Sequence, residues 1–382
     1  MKITAVETVL LANPRIDPDA CDSAQDDVLV RVHTDEGLVG VAEVDAPPGM
    51  IRAIIEAPSS HNYSYGLRDI LVGEDPRDVE CLWDRMYEAT WMAGRRGLTI
   101  NAIGAVDIAL WDILGRSRGQ PLHALLGGAV RPHVVPYASL LLHGTTPAEV
   151  AADLERRVRF CVEAGFRAVK LEVVAPTFAD DAAVVDAARR ARAVLGPQRD
   201  LLLDVGYRWR DAKQALAVAR RLEPHDPFLL ETPLPPDDLA GHARLARWSP
   251  IRMAAGEFQT TRFEFLDLMD RGGLDVVQPD VPRAGGLTES LRIARLARDR
   301  GVLVVPHAWK TPLTTAAAVH LAAVTANCPF VEYLPPDLHA SALTRELVRE
   351  GPFAQSGTIP LPSGPGLGVV LDEGAVHRYT QA

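Results

Sequence analysis

Two hydrophobic periodicities divide the chain. Near the N-terminus, "VLVRVHTDEGLVGVAEV" alternates apolar and polar positions on either side of Thr34-Asp35-Glu36-Gly37, the pattern of two strands joined by a tight turn. The opening "MKITAVETVLLANP" reads as another strand. It carries a lysine, an early glutamate and no small-residue cleavage site after a long apolar run, which argues against a signal peptide. Helical spacing follows over residues 67–93 and 99–117, the second being "NAIGAVDIALWDILGRSRG". Residues 1–125 are thus predicted to form a small antiparallel sheet with helices, an α+β unit.

From residue 132 the pattern alternates strictly. The β-rich runs are "HVVPYAS", "AVKLEV", "LLLDV", "FLLE", "IRMAAGE", "LDVVQPD", "VLVVPH" and "FVEY". Helical stretches separate them; the one after the first run opens with a capping box of Thr146, Pro147 and Glu149. Eight such units predict an α/β fold, a closed (β/α)8 barrel over residues 126–364. An open doubly wound sheet is the alternative, but no GxGxxG follows the first strand.

In a barrel of this kind, chemistry gathers where strands end. The second run ends with Lys170 and Glu172, and the later ones reach Asp204, Glu231, Glu257, Asp280, His307 and Glu332. From Asp204 onward the intervals are 27, 26, 23, 27 and 25 residues, one strand-helix unit each. A single such charge could be a salt-bridge partner beneath a loop. A whole series in phase points to a site.

Composition narrows what that site does. The chain of 382 residues is 47% apolar and 24% charged, with a net charge of -10, which disfavours a nucleic-acid or anionic-membrane surface. No uninterrupted apolar stretch of about 18 residues appears, so no membrane span is expected. Cys21, Cys81, Cys161 and Cys328 are far apart and form no CxxC pair, which removes the common zinc spacings and any disulfide framework. A reduced, cytoplasmic location is the expectation. Lysine is scarce, four residues against 36 arginines, so Lys170 is not solubility filler.

Asp204, Glu231 and Glu257 come from three successive runs, and three uncompensated carboxylates would raise one another's pKa. A divalent ion removes that cost, and all-oxygen ligation favours Mg²⁺, then Mn²⁺, over zinc. Asp280 and His307 lie on neighbouring strands, where an aspartate on one imidazole nitrogen raises the basicity of the other. Lys310 lies three residues beyond, and Glu332 could bond a substrate oxygen. Together these suggest a metal-held carboxylate substrate, a histidine that removes its α-proton, and a lysine that helps neutralise the enediolate.

These segments resemble the enolase superfamily, in its mandelate racemase subgroup. The resemblance rests on "RRGLTINAIGAVDIALWDILGRSRGQPLHALLGG", "LLLDV", "LLETPLPP", "AAGEF", "VVQPDVPRAGGLTE", "VVPHAW" and "GPGLGVVL", and covers nearly the whole chain. It implies Asp204, Glu231 and Glu257 as Mg²⁺ ligands and Asp280 with His307 as the subgroup's dyad. It also implies a capping domain of residues 1–125 completed by 365–382, and a homo-oligomer. The sequence departs from the family's Lys-x-Lys at the second strand, since Lys170 matches the first lysine but Glu172 replaces the second. A further departure is Gly206, where relatives often carry a polar side chain.

Without a lysine on the opposite face, the resemblance points to an acid-sugar dehydratase, a hydro-lyase in which His307 takes the α-proton and returns it to the departing β-hydroxyl. Glu172 would then bind a substrate hydroxyl. The alternative is a racemase, epimerase or lactone cycloisomerase using Glu172 as second base; a barrel retained only for binding is the non-enzyme alternative. The small-molecule carboxylate is expected to be an aldonate or aldarate. The family places specificity in cap loops, here near "NPRIDPDACDSAQ" and "APPGM", with "SSHNYSYG" nearby. Arg15, Arg208, Arg283 and Lys310 are candidate partners for a second substrate carboxylate.

Overall fold

The structure, a computed structural model, describes residues 1–17, 22–174, 177–339 and 341–381. Strands Ile3–Ala12, Asp26–Thr34 and Val39–Glu43 form an antiparallel sheet in chain order, with Gly37 at a positive φ of 78° in the turn. The helical run expected over 67–93 is two helices, Leu67–Leu71 and Val79–Ala89. Gly73, at φ 92°, and Pro76, which has no amide hydrogen, interrupt it.

Helix Leu98–Arg118 is long and apolar enough to cross a membrane, but 89% of its apolar window is buried inside the protein. It is apolar nearly all round because it packs between the N-terminal sheet and the barrel. A Cβ added at Gly104 would lie 1.9 Å from the Pro282 carbonyl oxygen, so only glycine permits that approach. Two buried aspartates on this helix tie three regions together. Asp107 accepts from the Thr288 amide (3.0 Å) and hydroxyl (2.6 Å); Asp112 accepts from the amides of Val41 (3.2 Å) and Leu367 (2.9 Å).

The eight barrel strands are Pro136–Leu141, Ala168–Glu172, Asp200–Asp204, Pro227–Glu231, Arg252–Ala255, Val276–Val277, Leu303–Val304 and Val331–Tyr333. All pair in parallel, and the eighth pairs with the first. Among the described residues no ladder joins the seventh to the eighth; the Glu332 amide donates to the Pro306 carbonyl at 3.3 Å instead. The first β-rich run splits, because His133–Val134 pairs with Ile359–Pro360 and only the residues after it join the barrel. The sixth and seventh strands are two residues each, since Pro279 and Pro306 cannot donate to a ladder.

A separate buried cluster takes Tyr137, Ala168, Leu202, Leu229, Ala254 and Val276 from six strands and fills the barrel interior. Side chains two residues on point the same way. Lys170 and Glu172 therefore continue the face of Ala168, Asp204 that of Leu202, and Glu231 that of Leu229, so interior packing aims the charged residues at the barrel mouth. The C-terminal segment returns to the N-terminal sheet: Thr380 bridges to Leu11, and the Gln381 amide donates to the Leu10 carbonyl at 2.9 Å.

His320 is fully buried on helix Pro312–Val324. Its Nδ1 accepts from the His123 amide (3.1 Å) while Nε2 donates to the Leu367 carbonyl (3.1 Å), so the ring is neutral. Burial pushes its pKa down to about 3. The unfolded chain therefore binds a proton that the folded chain refuses. This stability is present above the unfolded pKa and lost as pH falls from about 6.5 towards 3, at a slope of about 1.4 kcal/mol per pH unit. His320→Asn is expected to flatten the acid decline in urea-midpoint stability by that slope, and an unchanged slope would contradict it.

Candidate active site

Parallel register places three carboxylates side by side. Glu172 pairs with Asp204, and Asp204 pairs with Glu231. Neighbouring strands lie about 4.8 Å apart, so this row is strongly self-repelling. Lys170 answers it from within the barrel, with Nζ 2.9 Å from Glu231, 3.4 Å from Glu172, 3.9 Å from Asp204 and 2.8 Å from Glu332. The ammonium also sits 5.3 Å from the Tyr137 ring centroid. Lys170 is only 1% exposed, far more enclosed than a strand-mouth lysine is expected to be. Burial opposes its charge, yet Glu172, Glu231 and Glu332 hold its pKa well above the ordinary value.

The imbalance shows in the acids. Burial raises Glu231 to about 8, with Lys170 opposing and Asp204, Glu332 and Glu257 adding to the rise. Burial likewise raises Glu257, and holds Glu172 well above the carboxylate range although Lys170 opposes it. Glu332 goes the other way: against the cost of burial, Lys170 and His307 hold it at about 2.

Asp204 is fixed by the Gly206 amide at 2.9 Å and by the Thr232 hydroxyl. Thr232 and Tyr207 both hold positive φ, 49° and 57°, a costly backbone for non-glycine residues at two adjoining strand ends. Gly206 has φ 56°, and a Cβ there would lie 2.7 Å from Val174 Cγ1. Its lack of a side chain is thus a requirement of the local backbone as well as a source of space.

His307 is 4% exposed, with Nδ1 2.8 Å from Asp280 Oδ2. Asp280 Oδ1 accepts from the Arg283 amide at 2.9 Å, which fixes the carboxylate. Asp280, as acceptor, assigns the Nδ1 proton and leaves Nε2 as the reactive nitrogen. Nε2 lies 3.3 Å from Glu257 and 3.7 Å from Glu332. Burial opposes protonation, yet Glu332, Asp280 and Glu257 raise the imidazole pKa to about 9.

A cavity of about 560 Å³ opens over this centre, lined by Lys170, Glu172, Asp204, Glu257 and His307 among others. Glu231, Asp280 and Glu332 are fully buried and do not line it. Glu332, expected to face a substrate oxygen, instead accepts from the Ala308 amide at 2.8 Å and links Lys170 to His307.

The basic residues considered for a second substrate carboxylate are placed differently. Lys310 is buried, donating to the Ser23 carbonyl (2.6 Å) and Asp45 (3.0 Å). Arg283 lines the cavity but is bound to Asp45 through both its carbonyl (2.7 Å) and its carboxylate. Arg208 pairs with Asp181 at 3.1 Å outside this cavity, and Arg15 is exposed. Residues 18–21 of the first specificity loop, including Cys21, lie outside the described residues.

Sequence reading missed Asp22, Asp45, Tyr207, Phe258 and Trp309, all of which line the cavity. Tyr207 stacks on Phe258 with ring centroids 5.4 Å apart. Their adjacency to Asp204 and Glu257 was the available signal. Asp45 offered none, because its cationic partners, Arg283 and Lys310, come from the barrel.

Residues 8–127 match the mandelate racemase / muconate lactonizing enzyme N-terminal domain family, and residues 153–375 match the enolase C-terminal domain-like family. The chain belongs to the enolase superfamily. Its mandelate racemase-like relatives include a D-galactarolactone cycloisomerase from Agrobacterium fabrum, 32% identical over 99% of both chains. A D-galactonate dehydratase from Ralstonia nicotianae is 34% identical over 93% of this chain and 91% of its own. Among solved structures, a racemase from Streptomyces coelicolor with bound magnesium superposes with a TM-score of 0.84 at 30% identity, covering 99% of this chain and 100% of that one. The superfamily relatives of this chain are thus enzymes, acid-sugar dehydratases and a cycloisomerase among them.

The donor chemistry of the site fits a hard divalent cation. It is all-oxygen, drawn from adjoining strand ends, and carries pKa shifts that a cation would relieve. Among the described residues no three acidic, histidine or cysteine side chains are already closed around one point. Lys170 and Gln278, at 2.9 and 2.6 Å, hold the two oxygens of Glu231 instead.

Proposed function

We propose that this chain is a Mg²⁺- or Mn²⁺-dependent enzyme that removes the proton α to a carboxylate, and that it dehydrates an acid sugar to a 2-keto-3-deoxy acid. The observation that carries this is the His307–Asp280 pair, whose Nε2 stands with Glu257 on the cavity while Glu172 occupies the place of a second lysine. Asp204, Glu231 and Glu257 would hold the cation, which when bound supplies positive charge for the substrate carboxylate as the α-proton leaves.

The remaining roles belong to the chain itself. Glu257 is one of the groups that raise the imidazole pKa, so taking up its charge in cation binding would favour an unprotonated Nε2. Nε2 of His307 then takes the α-proton, and the C–H electrons move into the carboxylate. Asp280 stabilises the imidazolium so formed. Lys170, already saturated with carboxylates, balances the negative charge of the row and steadies the developing dianion. The imidazolium then protonates the β-hydroxyl, the C–O bond breaks, water leaves, and the enol tautomerises to the ketone. Glu332 positions His307 and Lys170 from behind. We also propose that residues 1–125 with 365–382 form the unit that covers the barrel of 126–364.

One observation favours a second reading. Glu172 lines the cavity, accepts from Ser139 Oγ at 2.8 Å, and is raised well above the carboxylate range by burial. A protonated Glu172 could deliver a proton to the opposite face, as a racemase, epimerase or cycloisomerase requires. Proton NMR in D₂O with Mg²⁺ separates the two across a panel of acid sugars. A 2-keto-3-deoxy product supports dehydration. Inversion with deuterium at the α-carbon and no ketone would replace it with the second reading.

A further inference from the structure

The charges on the cap side of the cavity carry a conclusion about substrate class, which rests on the acid-sugar reading above. A second substrate carboxylate is held most strongly by a cation with donors to spare. Lys170 and His307 lie at the barrel end. Among the described residues, the cap-side cations at the cavity are Arg283, which lines it, and Lys310 behind it, while Arg15 is exposed and does not line it. Asp45 takes both: Oδ1 accepts from Lys310 Nζ at 3.0 Å, and Oδ2 accepts from Arg283. Ser23 Oγ donates to the same Oδ2 at 2.8 Å, and the Asp45 side chain is only 4% exposed. The remaining side-chain bonds of Arg283 go to the carbonyls of Asp45 (2.7 Å) and Glu257 (3.4 Å). Lys310 also faces Asp26 at 3.5 Å. The residues outside the described set, Pro18, Asp19, Ala20, Cys21, Ala175, Pro176, Ala340 and Ala382, include no basic side chain.

Asp22 completes this wall. Its Oδ1 accepts from Trp309 Nε1 at 3.1 Å and from the Ala24 amide at 3.0 Å. His339 is 3.8 Å from the same oxygen and His143 also faces Asp22, and burial disfavours the charged form of both rings. Oδ2 has no partner among the described residues, and Asp22 lines the cavity. A carboxylate with one free oxygen accepts a hydroxyl and repels an anion.

We infer that the cavity takes monocarboxylic sugar acids and rejects dicarboxylic ones, with Asp22 as the specificity-determining residue that accepts a distal sugar hydroxyl. The test uses hexonates and hexarates matched in configuration, with calorimetric binding and α-deuteration followed in the presence of Mg²⁺. The best hexonate is expected to bind at least about a hundredfold more tightly than its matching hexarate, the cost of facing like charges. Asp22→Asn, verified as folded by its melting temperature, is expected to narrow that ratio by about tenfold or more, chiefly by admitting the hexarate. A hexarate bound or turned over as well as its hexonate overturns this inference and leaves the acid-sugar reading standing. A ratio unchanged in Asp22→Asn removes Asp22 from the role. Neither binding nor exchange with any member of either class overturns both.

Discussion

Replacing His307 with asparagine is expected to slow α-deuterium wash-in by about 10²–10⁴-fold, the usual contribution of a positioned general base. The loss should fall on chemistry rather than folding. Asparagine is smaller but can still donate to Asp280, which keeps its bond from the Arg283 amide at 2.9 Å. Glu257 and Glu332, 3.3 and 3.7 Å from Nε2, lose a neighbouring positive charge, so the variant should also bind a divalent cation at least as tightly as the parent. Rapid-quench exchange in D₂O with a turned-over acid sugar is the measurement. Exchange near the parent rate in His307→Asn would move the base to the other face of the cavity, to Glu172.

Lys170→Met is expected to cost about 3–5 kcal/mol of stability when no divalent cation is present, because it leaves buried carboxylates without their counter-charge. The substitution nearly conserves volume, so packing contributes little to that loss. The four carboxylates around Nζ, within 2.8–3.9 Å, share one positive charge, and three of those distances involve the row of Glu172, Asp204 and Glu231. A cation held by Asp204, Glu231 and Glu257 would supply the missing charge. Mg²⁺ should therefore raise the melting temperature of Lys170→Met more than that of the parent, since a ligand stabilises in proportion to its affinity for the folded state. Equal Mg²⁺ shifts in the two proteins would separate Lys170 from the proposed cation site.

The barrel was legible because each apolar run ended on a charge one strand-helix unit after the last. That rhythm pointed to Asp204, Glu231, Glu257, Asp280, His307 and Glu332. In the structure Asp204 and Glu231 close their strands, Glu257, Asp280 and His307 lie two or three residues past theirs, and Glu332 is the middle residue of Val331–Tyr333. Period-two alternation also foretold that Lys170 and Glu172 leave one face. What the rhythm could not give was depth. Glu332 and Lys170 read as mouth residues, yet both are enclosed, Lys170 among four carboxylates and the Tyr137 ring and Glu332 between Lys170 and the Ala308 amide. The cap side was less legible still. Asp22, Asp45 and Lys310 lie hundreds of residues apart in part, and their pairing appears only when the N-terminal sheet seats on the barrel. Arg283 and Lys310 were reasonable candidates for a substrate anion by charge alone. Their shared partner is Asp45.

The most direct measurement is the anomalous difference map of crystals grown with Mn²⁺. One peak bonded to carboxylate oxygens of Asp204, Glu231 and Glu257, with Lys170 withdrawn from Glu231 or sharing it and His307 Nε2 facing the same cavity, is the predicted result. No peak among those three side chains at saturating Mn²⁺, with Lys170 still closing on Glu231 as it does at 2.9 Å, would contradict the metal-assisted account.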